Sequence, residues 1–322
     1  MLQAYLFIIV LTLFNLVIDV PFALYRTFVI EEKWGYNKTT KGTFACDRLK
    51  GLLITCVLAG LFMPLILWII HVAGSALIPC LMGFSIFVIL FVNLLVPVVI
   101  LPMFFTFTDL DEGELRTAIF AESEKTAIPV SQIKVIDGSK RSSHSNAFVT
   151  GFGSFRKVVL FDTLMNTHSK DEILAIVNHE LGHVAHMHVL KFAAISIVKL
   201  TIIFSLFSLV LNNPEILLSF GVNHTSAFMA LLLFTTILDP FNFPLQFGEM
   251  YIIRKAEYEA DAYACTYNHA EGLKSGLIIL FKHNKGHLIV DPLWSALNNS
   301  HPTLIERLQA IDKQIAVEDK NN

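Results

Sequence analysis

Charge is what this 322-residue sequence has least of: Asp, Glu, Lys and Arg make up 16% of it, against roughly a quarter in ordinary soluble domains. Between Gly51 and Thr108 there is none. A bilayer-spanning helix needs only about 20 predominantly apolar residues, so that stretch has room for two spans, and a purely soluble globular protein is excluded. Long blocks of Lys and Arg are missing and the formal net charge is −3, which removes the electrostatic footprint of a nucleic-acid partner. Cysteine is scarce too. Cys46, Cys56, Cys80 and Cys265 are scattered without metal-ligand spacing, so a disulfide framework is not expected. The first apolar segment, Leu2 to about Leu24, has neither the basic leader nor the small-residue cleavage site of a secretion signal. It is expected to be a retained membrane helix whose end is marked by Asp19 and Pro21.

What is present is apolar sequence in span-sized pieces, with 54% hydrophobic residues and 27 Phe. Two further spans run from Leu52 to Ala73 and from Ala76 to Pro97, and two more from about 192 to 212 and from about 226 to 247, giving five. The loop 26–50 carries Lys33, Lys38, Lys41 and Arg48, and Arg254 with Lys255 follows the last span; by the positive-inside rule both face the cytosol. The loop Asn212 to Ser226 has no Lys or Arg and is expected in the lumen, where Asn223, His224 and Thr225 spell a glycosylation acceptor. Lys199 is the one charge inside the fourth span, too little for a transport pathway. Residues 1–108 thus read as membrane spans with a cytosolic loop, and 109–322 as a catalytic domain that includes two further spans.

The polar stretch opens on Asp109, Asp111, Glu112 and Glu114, which reads as a solvated helix face. Gln132 to Asp137, Val149 and Lys157 to Phe161 are β-branched runs separated by Gly151 and Gly153, predicting a small antiparallel sheet. Ser169 and Glu172 form a capping box ahead of Ile173, Leu174, Ile176, Val177, Leu181 and Val184, which recur with helical period.

Inside that helix His179, Glu180, Leu181, Gly182 and His183 spell H-E-x-x-H. Residues four apart share a helix face, so both imidazoles can reach one metal ion while Glu180 sits beside a metal-bound water. Two interfacial histidines are the alternative, but they would not need Gly182, which permits close approach of another element. A catalytic zinc requires a third protein ligand. Glu257 is the candidate, with Asp261 one turn on to accept a ring N–H from a ligating histidine; otherwise these are a solvated charged turn after a membrane helix. Glu259 points elsewhere, and His186 and His188, outside the required spacing, read as interfacial or packing residues. The reaction that fits is peptide hydrolysis by zinc-activated water, with Glu180 taking its proton. Near the C-terminus Pro302 fits the first turn of an amphipathic helix, with His301 at its entrance and Arg307 on it; spacing alone gives these two no role.

Taken together the motifs resemble the CAAX prenyl protease 1 family, type I prenyl endopeptidases of the endoplasmic reticulum membrane. The resemblance rests on F-V-I-E-E-K-W-G-Y-N at Phe28 to Asn37, G-S-K-R-S-S-H-S-N-A-F at Gly138 to Phe148 and V-V-L-F-D-T-L at Val158 to Leu164. H-E-L-G-H, E-Y-E-A-D and S-H-P-T-L-I-E-R-L-Q-A-I at Ser300 to Ile311 complete it. It implies a mainly α, polytopic membrane helix bundle with a small antiparallel β-sheet and a gluzincin-like site. One Zn2+ would be held by His179, His183 and Glu257, with Glu180 as base and Asp261 supporting the ligands. It also implies that Asn146, Ala147 and Phe148 align the substrate by strand addition, and that His301 and Arg307 lie at the reaction centre. The implied substrates are prenylated CAAX proteins, which lose their last three residues at a site open to the cytosol; a broader membrane-protein quality-control protease and a silent binding paralogue are the alternatives. Two departures stand out. The family resembles a seven-span design, and this chain begins at what looks like the third span, so the first two are expected to be absent. Phe148, Val149 and Thr150 stand where the family is rich in Tyr and Phe.

Overall fold

The computed structural model describes residues 2–221 and 227–321; the triplet Asn223 to Thr225 lies outside them. The chain divides into two compact bodies, Met1–Val96 with Ala193–Leu245 and Pro97–Phe192 with Gln246–Asn322.

The first body is built from α1 (Leu2–Tyr25), α2 (Lys41–Val72), α3 (Leu77–Leu95) and later apolar helices. Its core joins Ile69, Ile70, Leu77 and Leu81 to Phe207, Leu217 and Phe234. The outward faces stay apolar, with Val17, Phe22, Leu53 and Leu94 all exposed, the pattern of helices whose solvent is lipid rather than water. Among the described residues four helical stretches are long and apolar enough to cross a membrane: Tyr5–Glu31, Lys41–Val72, Gly74–Phe104 and His188–Leu211. The fifth expected span falls in a longer helix where Asp239, Pro240, Asn242 and Pro244 dilute the apolar run, and it is not among the four. Asp19 and Pro21 do not end the first span. The helix runs on through Pro21 to Tyr25, and the Asp19 carboxylate is neutralised by Arg48 at 2.9 Å.

The second body begins with the short α4 (Leu101–Phe104). It contains β1 (Phe107–Asp109), α5 (Glu114–Lys125), β2 (Gln132–Ile136), β3 (Ala147–Thr150), β4 (Lys157–Phe161), α6 (Asp162–Thr167) and α7 (Lys170–Ala185). Along the chain α8 (His188–Leu211), α9 (Pro214–Ser219) and α10 (Ala227–Thr266) come next, passing through the first body, and the second body resumes at Gln246 on α10 and continues in α11 (Ala270–His283), α12 (Pro292–Asn298) and α13 (Leu304–Asn321). The sheet order is β1-β2-β4-β3. It is mixed rather than antiparallel, because β2 pairs with β4 in parallel. The chain leaving β2 passes the place beside it, forms β3 one position out, and returns through the loop 151–156 so that β4 fills the gap; a parallel pair requires such a crossover. The acidic run is solvated, as its composition demands, but only Glu114 is helical. Asp109 belongs to β1 and pairs with Lys134 at 2.8 Å.

α7 is the central element. Ser169 caps it in a complete capping box with Glu172. Ile173, Leu174, Val177 and Leu181 pack against Ile133, Ala147, Val158 and Leu160 of the sheet. On another side Ala175 meets Ala264, Leu273, Leu277 and Ile311 from α10, α11 and α13. A helix buried on two sides has its rotation fixed, and so the direction of every polar side chain it carries.

Candidate metal centre and active site

His179 and His183 project from α7 toward Glu257 on α10. Their Nε2 atoms are 3.2 Å apart, His183 Nε2 is 3.4 Å from Glu257 Oε1, and His179 Nε2 is 3.7 Å from Glu257 Oε2. Ligands at 2.0–2.2 Å from a tetrahedral zinc stand about 3.3–3.5 Å apart, so this triangle has the dimensions of three corners of such a site. The donor set fits as well. His179 Nδ1 is 2.8 Å from Asp261 Oδ1; as a donor to that carboxylate it leaves the Nε2 lone pair facing the second imidazole and Glu257, as a metal ligand requires.

Gly182 is what lets the two helices meet. A Cβ there would lie 3.0 Å from Ala260 Cα, 3.0 Å from Tyr263 Cβ and 3.1 Å from Ala260 O, contacts with backbone and stem atoms that cannot swing aside. Gly182→Ala is therefore expected to cost about 1–3 kcal/mol by overpacking and to draw Glu257 away from the histidines. Thermal unfolding and the metal content after dialysis measure the two effects.

The electrostatics separate the carboxylates. Burial pushes the Glu180 carboxyl up to about 7, with the Glu257 charge adding to the rise against opposing His179 and Arg307. Burial also acts to raise Glu257, but the His301 hydrogen bond, Nδ1 to Oε2 at 2.7 Å, and the charge of Arg307 hold it below the usual carboxylate range. Asp261 is likewise buried, yet hydrogen bonds from Arg307 and His179 bring it down to about 2. Burial and the neighbouring His179 take His183 down to about 4, so at neutral pH it is the uncharged imidazole that a metal requires.

Arg307, from the first turn of α13, grips Asp261 with Nε at 2.8 Å and Nη2 at 2.6 Å, and its Nη1 lies 3.7 Å from Glu257. The helix starts later than expected. Thr303 rather than Pro302 opens it, through a reciprocal bond with Glu306, and the signal was the T-x-x-E spacing of a capping box. Arg254 then ties this turn to α10: its Nη2 meets both Glu306 oxygens at 3.0 Å and its Nη1 reaches the His301 carbonyl at 3.3 Å. Sequence reasoning had used Arg254 only as a marker of topology.

Glu180, His179, Glu257, His301 and Arg307 line one cavity of about 290 Å³, together with Asn146 and Ala147. Leu164, Ile176, Leu273, Leu277 and Phe281 supply its apolar wall. Asn146 precedes β3, one of the two edge strands, and its side-chain oxygen accepts from the Ala147 N–H at 2.9 Å. Phe148 lies on the same strand and does not line the cavity. His188 and Glu259, expected to lie apart from the site, are joined to it: His188 is fully buried, 2.9 Å from the His183 ring and 3.0 Å from Glu259. The arrangement offers a three-residue cluster able to hold a metal, a carboxyl with its pKa raised toward neutrality, N–H donors on His301 and Arg307 and a strand at the sheet edge, which are the parts of a metal-dependent peptide hydrolase.

Comparison with known proteins agrees. Residues 109–315 match the family model described as peptidase family M48, and residues 1–106 match the CAAX prenyl protease N-terminal region, described as five membrane helices. The chain is 36% identical to CAAX prenyl protease 1 of Saccharomyces cerevisiae, over 96% of this chain and 72% of that protein. It is 33% identical to the CAAX prenyl protease 1 homolog of Homo sapiens, over 96% and 73%. The crystal structure of S. mikatae Ste24p superposes with a TM-score of 0.89 at 36% identity, covering 96% of this chain and 75% of that one. The four membrane-length helices, the His179, His183 and Glu257 cluster and these matches make the protein a membrane metalloprotease, and the chain belongs to the CAAX prenyl protease 1 family within peptidase family M48.

Proposed function

We propose that this protein is a zinc endopeptidase of the endoplasmic reticulum membrane that removes the last three residues of prenylated CAAX proteins at a site open to the cytosol. The observation that carries the reading is the His179, His183 and Glu257 cluster, of which His179 and Glu257 line one cavity with Glu180 and the start of the edge strand, in a chain whose relatives bear the name CAAX prenyl protease. On this reading residues 109–322 are the metallopeptidase domain, including two membrane segments, and residues 1–108 are membrane spans joined by the cytosolic loop 26–50.

His179, His183 and Glu257 would hold the zinc, which when bound polarises the scissile carbonyl and acidifies a water molecule. Glu180 takes the proton from the attacking water and delivers it to the leaving amine, a double task suited to a carboxyl whose affinity for protons is raised by burial. His301 and Arg307, both lining the cavity, offer N–H groups to the oxygen on which negative charge develops. Asp261 keeps His179 in the tautomer that leaves Nε2 free. An extended substrate pairs with the edge at Asn146, Ala147 and Phe148 and lays its side chains against the apolar wall.

Purified full-length protein with measured zinc content, given a farnesylated CAAX peptide and its unprenylated twin, is expected to cut the first after the modified cysteine and to leave the second. Equal cleavage of both peptides would favour a broader membrane-protein protease. Zinc-loaded protein that cuts neither would favour a binding paralogue.

A further inference from the structure

We propose that His188 and Glu259 are positioning residues for the metal site, holding His183 in the one tautomer that presents Nε2 to a metal ion. The inference rests on the reading of His183 as a ligand. His183 Nδ1 lies 2.9 Å from His188 Nδ1, and His188 Nε2 lies 3.0 Å from Glu259 Oε2. A neutral imidazole has one N–H and one lone pair, and an ionised carboxylate only accepts. Lys191 at 3.4 Å and Lys255 at 3.8 Å stand beside Glu259 and favour its ionised form. The proton between Glu259 and His188 therefore sits on His188 Nε2. His188 Nδ1 is left with its lone pair, so the proton in the next contact belongs to His183 Nδ1. His183 Nε2 then turns a lone pair toward His179 and Glu257. The carboxylate end of the relay fixes the direction of every bond in it.

The two proposed histidine ligands are thus braced in different ways, His179 directly by Asp261 and His183 through an intervening imidazole. A turn in the backbone makes the second brace. Five residues along a continuous helix would put His188 about 140° around the axis from His183. Instead α7 ends at Ala185, Met187 takes a left-handed φ of +52°, and α8 begins at His188, folding that ring back against the one it follows. Such a φ is unfavourable for a residue with a Cβ, so the reversal is held by its surroundings, the fully buried His188 among them.

The test is the Zn2+ dissociation constant of the full-length protein in detergent, measured by competition with a chromophoric chelator beside the unfolding temperature of the zinc-free protein. His188→Phe keeps the ring volume but leaves the His183 N–H without an acceptor, and is expected to weaken Zn2+ binding about 10- to 100-fold. His188→Asn puts an amide oxygen near the Nδ1 position and should recover most of that loss. Glu259→Ala, at a side chain 30% exposed, should weaken binding about 10-fold and carries the test if His188→Phe does not fold. Unchanged affinity in His188→Phe and Glu259→Ala would overturn the proposal. So would equal losses in the Phe and Asn variants that follow a lower unfolding temperature of the zinc-free protein, which would make His188 a packing residue. His183→Ala serves as the control: if it binds Zn2+ like the parent protein, the ligand assignment itself is wrong.

Discussion

Glu180→Gln is expected to reduce turnover of a farnesylated CAAX peptide by about 10²- to 10⁴-fold, the usual range for removal of a general acid-base group, while the protein keeps its zinc. The amide has the shape of the carboxyl but cannot take up the water proton. Because Glu180 is not one of the three clustered ligands, metal content should stay at the parent value, and a variant that loses zinc instead would mean that Glu180 acts as a ligand. The active form is the carboxylate, so turnover in the parent protein rises with pH through the Glu180 pKa. That pKa is about 7 without metal, and a dication beside the group lowers it, so the acid limb of kcat/KM is expected below pH 7. Rates of tripeptide release against pH, with zinc analysis of both proteins, give the result.

The second large effect is on stability. Arg307→Met removes the two-point grip on Asp261, whose side chain is 2% exposed, and leaves a buried carboxylate with only His179 to face it. Breaking a buried pair in this way costs about 3–5 kcal/mol. Arg307→Lys keeps a charge but loses the planar fork and should fall between. In the parent protein burial acts to raise Asp261, and the Arg307 and His179 hydrogen bonds outweigh it, holding the carboxyl at about 2. A folded-state pKa below the unfolded value of about 3.9 stabilises at pH above about 4, and this contribution is lost as pH falls toward 2. Without Arg307 the burial effect has less to oppose it, and the folded pKa rises. The deficit of Arg307→Met is therefore largest at neutral pH and shrinks below pH 4. Unfolding temperatures of parent and variant across that range would show it, and a deficit independent of pH would mean that Arg307 contributes through packing alone.

The parts of the site that were legible in the sequence are those whose geometry is local. The four-residue spacing of His179 and His183 fixes a shared helix face, the Ser169 box fixes where that helix begins, and the four-residue spacing of Glu257 and Asp261 lets one carboxylate meet both histidines while the other bonds His179. Gly182 in that setting pointed to a close neighbour, and Ala260 is that neighbour. What was not legible depends on pairing across distance. The parallel register of β2 and β4 is set by where a crossover leads, not by either strand's alternation. Glu259 meets His188 only because α7 stops and reverses at Met187, a feature with no glycine to announce it.

The sheet edge also sets a parity. The Phe161 N–H bonds to the Asn146 carbonyl, and in the regular antiparallel register that follows, Asn146, Phe148 and Thr150 turn their main-chain groups toward β4. Ala147 and Val149 turn theirs outward. On the proposed strand addition, a peptide meets outward main-chain groups only at every second residue, with the Ala147 N–H already bonded to the Asn146 side-chain oxygen at 2.9 Å, and sliding by one residue turns all its side chains to the opposite face. On that proposal the edge would act as a ruler graduated in pairs of residues: blind to which side chains the peptide carries, yet able to distinguish an even displacement from an odd one.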